Sequence, residues 1–77
     1  MDIQLADVTI HVDEELAVGA RAEIERKLRE IDGVVSVHNP DAKPHLVVVE
    51  YDPDKLKSAT LLETVKSEGV HAELIGL

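Results

Sequence analysis

Val8-Thr9-Ile10-His11-Val12 alternates strictly between apolar and polar side chains. That puts Val8, Ile10 and Val12 on one face of a strand and His11 on the other. The pattern predicts a first strand from about Ile3 to Val12. The period then changes. Ala20, Ile24, Leu28 and Ile31 recur at helical spacing, so Asp13 to Val34 reads as an amphipathic helix that turns into a second strand. Asp13 is placed to cap the helix, and Glu14 and Glu15 suit the positive end of its dipole. Gly19 costs about 1 kcal/mol against alanine if it lies in the helix interior. Otherwise it marks where a loop ends, so the helix starts somewhere between Asp13 and Ala20. Arg21–Glu25, Glu23–Lys27, Glu25–Arg29 and Arg26–Glu30 stand four apart, the spacing of a solvated, ion-paired face.

Asp32-Gly33 stops this helix, with Gly33 free to take a left-handed conformation. A second strand is expected from Val34 to Asn39. The two prolines of Asn39-Pro40-Asp41-Ala42-Lys43-Pro44 enforce a turn, and the β-branched run His45 to Tyr51 is a third strand, paired with the second as an antiparallel hairpin. Asp52-Pro53-Asp54 breaks the chain again. Ser58 is expected to cap a helix from Ala59 to Glu68 with Leu61, Leu62 and Val65 inward, Gly69 ends it, and Val70 to Ile75 forms a last strand.

The order is β-α-β-β-α-β. Two right-handed βαβ halves predict an α+β, ferredoxin-like βαββαβ sandwich: a four-stranded antiparallel sheet, order 4-1-3-2, with two helices on one face. The other sheet face is left uncovered. At 77 residues the chain is one domain, 1-77, with only about 60–65% of its unfolded surface buried. Tyr51 is the only aromatic residue, so the core is aliphatic.

Charge and cysteine content narrow the function. A net charge of −8 argues against nucleic-acid backbones and anionic membrane surfaces. No apolar run approaches membrane-spanning length and no secretory pattern opens the chain, so a cytoplasmic location is expected. Without cysteine there is neither disulfide nor thiolate metal site. No nucleophile–base constellation or phosphate loop is visible, so no enzymatic activity and no catalytic residue are expected.

Three stretches resemble the heavy-metal-associated domain of copper chaperones and of metal-pumping ATPase N-termini. They are Val8 to Val12, Ile24-Glu25 through Ile31-Asp32-Gly33-Val34, and Tyr51-Asp52-Pro53 followed by Leu62, Val65, Gly69 and Ala72. The family's motif, Gly-Met-Thr-Cys-x-x-Cys before the first helix, falls on Glu14-Glu15-Leu16-Ala17-Val18-Gly19-Ala20. Ala17 and Ala20 therefore stand where the resemblance implies metal-binding cysteines, and Glu15 where it implies a core-anchoring methionine. Soft Cu(I) needs sulfur, and Met1 holds the only one in the chain. The departure also favours a helix that starts early, near Asp13 or Glu14.

Four histidines remain, His11, His38, His45 and His71. Alternation puts His11 on the open sheet face. With Val70, Ala72 and Leu74 inward, His71, Glu73 and Ile75 share that face, and His11 and His71 are expected as cross-strand neighbours. With Glu73, or with Glu50, they offer borderline ligands for Zn or Ni; the plainer meaning is polar decoration of an exposed sheet. Asp13-Glu14-Glu15 is read as complementing the helix dipole rather than holding a cation. The resemblance places Val49 and Tyr51 inward, which leaves Leu46, Val48 and Ile75 as aliphatic residues on the open face. The leading expectation is a small interaction module whose face binds a protein partner or makes a homodimer, with no cofactor. The alternative is a Zn or Ni domain using His11, His71 and Glu73.

Overall fold

A computed structural model describes residues 4–75. The expected first-strand residue Ile3 lies outside them. The elements are β1 (Ala6–Val12), α1 (Val18–Arg29), β2 (Val34–His38), β3 (Leu46–Tyr51), α2 (Ser58–Lys66) and β4 (Ala72–Ile75). The sheet has four strands in the order β2-β3-β1-β4, all neighbours antiparallel. This is the expected ferredoxin-like βαββαβ arrangement.

The period-two and period-3.6 stripes meet in one core. Val8, Ile10, Val12, Val37, Val47, Val49 and Tyr51 come from the sheet, and Ile24, Leu28, Leu61 and Val65 from the helices. No polar or charged residue is buried among the described residues. The stripe on α1 begins at Ile24: Ala20, in the first turn, is exposed. Leu74 points to the core side opposite Ile10 yet stays 39% exposed, because β4 is an edge strand of only four residues.

Both expected N-caps differ from those observed. Helix α1 starts at Val18 after an extended Ala17, and α2 starts at Ser58 after an extended Lys57; neither flanking residue makes a side-chain cap. Asp13 is kept out of the helix by β4. Its N–H donates to the His71 carbonyl at 2.9 Å, which extends the β1–β4 ladder past Val12. Leu16 then packs against the core. It anchors the loop one position after Glu15, which is exposed.

Tertiary partners also redraw the ion pairs of α1. Glu25–Arg29 and Arg26–Glu30 form along the helix, but Lys27 reaches Glu68 and Arg21 reaches Asp41. Arg21 Nε also donates to Asn39 Oδ1 at 2.7 Å, and the Asn39 amide donates to the carbonyls of Pro44 and Leu46 at 3.1 and 2.6 Å. One side chain thus closes the β2–β3 turn and ties it to α1. Gly33, at φ 102°, and Gly69, at φ 84°, end the two helical segments, as the sequence predicts. At Gly33 an added Cβ would lie 2.6 Å from Leu56 Cδ2 and 3.0 Å from Lys55 Cβ.

Candidate functional site

The open sheet face is built by register. On it, β1 displays Asp7, Thr9 and His11, opposite Glu50, Val48 and Leu46 of β3. On the other side of β1, Thr9 faces Ile75 and His11 faces Glu73. A bulge between Val34 and Ser36 resets β2, so Ser36 lies beside Glu50 and His38 beside Val48. The face therefore reads in rows across the strands. The middle row is His38, Val48, Thr9 and Ile75. Leu46, His11 and Glu73 form a row on one side, and Ser36, Glu50 and Asp7 a row on the other. Leu46 and Val48 are half-buried by their neighbours, and Ile75 is 38% exposed. The three aliphatic residues expected here do share the face.

At one end of these rows His11, Asp13 and Glu73 converge. One ligand atom from each lies within 4.8 Å of the others, with His11 Nδ1 at 3.1 Å from Asp13 Oδ1 and 3.5 Å from Glu73 Oε1. The ring of His45 stacks on that of His11 at a centroid distance of 5.8 Å. His45 Nδ1 donates to the Val12 carbonyl at 2.8 Å, which fixes its ring. The expected pairing of His11 with His71 does not occur, because the strand register puts Glu73 opposite His11. His71 lies farther along the ladder and turns to Glu14. The Glu14 carboxylate accepts from the His71 backbone N–H at 2.9 Å and from its Nδ1 at 2.6 Å. The bond to the His71 ring, and then that to its backbone, hold Glu14 below the ordinary carboxylate range. In return the bond to Glu14, and then its charge, raise the His71 imidazolium.

Asp13 and His45 were not legible as neighbours of His11. Asp13 reads as a cap, and alternation along the expected strand His45 to Tyr51 sets His45 on the face of Val47 and Val49, away from His11; the observed β3 starts only at Leu46. The Val12–His45 backbone bond, at 2.8 Å, brings His45 there.

Ala17, at the end of the loop, and Val18 and Ala20, in the first turn of α1, stand in solvent, Val18 at 74% exposure. No known protein-family profile and no curated protein matches this chain. Solved structures do. A copper-binding domain of HMA7, a P-type ATPase, superposes with a TM-score of 0.81 at 18% identity, over 91% of this chain and 93% of that one. The Cu(I)-loaded N-terminal domain of a potential copper-translocating P-type ATPase from Bacillus subtilis gives 0.82 at 24% identity, over 92% and 88%. Oxidised MerP from Ralstonia metallidurans CH34 gives 0.81 at 17%, over 92% and 97%. This is the heavy-metal-associated domain fold, without its cysteine pair. The residues do not suit Cu(I) held by thiolates: the chain has no cysteine, and Ala17 and Ala20, which the sequence resemblance sets at the cysteine positions, carry methyl groups that donate no electron pair to a soft ion. Among the described residues, no helix is long and apolar enough to cross a membrane.

Proposed function

We propose that this heavy-metal-associated-like domain is a protein-interaction module and not an enzyme, and that the open face of its sheet is the working surface. The observation that carries this reading is the middle row of that face, where Val48 and Ile75 flank Thr9 and no helix among the described residues covers them. Aliphatic groups set among polar ones, here Val48, Ile75 and the neighbouring Leu46, are a usual make-up of a docking surface. The helix-covered side cannot serve in the same way, because its apolar residues are consumed by the core. The test compares affinity capture by the wild-type domain, Val48→Asp and Arg29→Glu, each checked by circular dichroism for folding. A stoichiometric partner retained by Arg29→Glu and lost with Val48→Asp is the expected result. A partner retained by both variants, or none at all, overturns the reading.

The convergence of His11 Nδ1, Asp13 and Glu73 within 4.8 Å favours a second reading, in which this end of the sheet holds a Zn or Ni ion. One imidazole and two carboxylates are borderline-to-hard donors that suit such an ion and not Cu(I). Calorimetric titration with Zn and Ni checks it. Binding lost with His11→Ala and kept with His71→Ala is expected, since His71 is engaged by Glu14. No binding, or equal loss in both variants, removes this reading.

A further inference from the structure

The cations of this molecule are segregated by element. The strands contain Asp7, Glu50 and Glu73 and no lysine or arginine. Of the 8 cationic side chains in the chain, Arg21, Arg26, Lys27, Arg29 and Lys66 are on the helices and Lys43, Lys55 and Lys57 are in loops. The helix cations already have carboxylate partners: Asp41, Glu23, Glu30, Glu68, Glu25 and Glu63.

On the open face the carboxylates are poorly matched. Asp7 and Glu50 are directly opposed across β1 and β3. Among the described residues neither has a lysine, arginine or histidine within ion-pair range. Like charges directly opposite on a sheet destabilise it, so this pair works against the fold. At the other end Glu73 and Asp13 share the imidazole of His11, and among the described residues no lysine or arginine pairs with either.

We infer that the partner of this face is a basic protein surface, with cations flanking an apolar patch, and not a second copy of the chain; this rests on the interaction reading above. A two-fold dimer through the face would set the same patch against itself. It would bring Asp7, Glu50 and Glu73 of both copies into one interface, and each copy carries a net charge of −8. Juxtaposed like charges exclude wrong partners, and complementary ones set orientation and speed association. The spacing is readable as well. Asp7 and His11, which mark the two acidic rows, are four residues apart on β1, or ~13 Å. The matching surface places cationic groups about that far apart, with aliphatic side chains between them to meet Val48 and Ile75.

The probe is an extended peptide with lysines at i and i+4 and leucine at i+2, set against the same peptide with glutamates for lysines. Binding is followed by amide chemical shifts of the whole domain. Sedimentation of the domain alone is measured in parallel. The lysine peptide is expected to shift Thr9, Val48, Glu50 and Glu73. Combined Asp7→Asn, Glu50→Gln and Glu73→Gln weakens it about tenfold, while Glu23→Gln, Glu25→Gln and Glu63→Gln on the helices leave it unchanged. Equal weakening by the helix set, equal binding of the glutamate peptide, or no shifts on the sheet overturns the charge assignment. Self-association abolished by Val48→Asp also overturns it, but keeps the face as an interaction surface. Peptide binding and assembly that both ignore Val48→Asp sink the interaction reading itself.

Discussion

Glu14 and His71, 57 residues apart in sequence, are joined by the Glu14 carboxylate accepting from both the backbone and the ring of His71. This clasp holds the loop before α1 against the start of β4. It replaces the side-chain cap that α1 lacks with a contact between distant parts of the chain.

The clasp makes stability depend on pH in a defined window. His71 is raised above its ordinary 6.5. Its contribution is complete below that value and is lost as pH rises through the raised folded value. Glu14 is lowered from 4.5, so its contribution is complete above 4.5 and is lost as pH falls through the lowered folded value. The pair therefore stabilises most between 4.5 and 6.5. In Glu14→Gln the His71 midpoint, followed by NMR of its ring protons, returns toward 6.5, and the loss of melting temperature above that value flattens. An unchanged midpoint counts against the clasp.

Gly33 and Gly69 both have positive φ, but only Gly33 is hemmed in, by Leu56 and Lys55. Gly33→Ala is expected to cost roughly 2–3 kcal/mol, from backbone strain plus displacement of the Lys55–Leu56 segment. Gly69→Ala, with open space around it, costs about 1 kcal/mol. Urea unfolding of the two variants measures both. Equal costs mean that the contact at Gly33 is without consequence.

Asn39 joins the β2–β3 turn to α1 through Arg21 and the carbonyls of Pro44 and Leu46. Asn39→Ala leaves these partly buried groups unpaired and is expected to destabilise the domain by about 1–2 kcal/mol. Arg21→Ala in the same background should add less than it does alone, a non-additivity that a double-mutant cycle reads directly.

The opposed carboxylates Asp7 and Glu50 predict a change that strengthens the fold and weakens function. Glu50→Lys converts a repulsive cross-strand pair into an attractive one, worth about 0.5 kcal/mol by thermal unfolding. The same substitution places a cation on the open face and is expected to reduce binding of the lysine peptide. A variant that is neither more stable nor weaker in binding contradicts the account of that face.

The sequence alone determined the fold. Strict alternation from Val8 to Val12, the helical recurrence of Ile24 and Leu28, and the breaks at Gly33, Pro40 and Gly69 are local signals, because period and backbone freedom are properties of adjacent residues. They suffice for six elements in order, and chain chirality then leaves few ways to pack them. The sequence also showed that Ala17 and Ala20 supply no thiolate, since side-chain chemistry needs no coordinates. Tertiary structure decided what stands beside what. Register sets Glu73 rather than His71 opposite His11, opposes Asp7 to Glu50, and through β4 holds Asp13 and Glu14 out of the helix their propensities favour. A shift of one residue between two strands changes every such pairing and leaves the pattern along each strand untouched. The composition of the open face could thus be read along the chain, and its arrangement only across it.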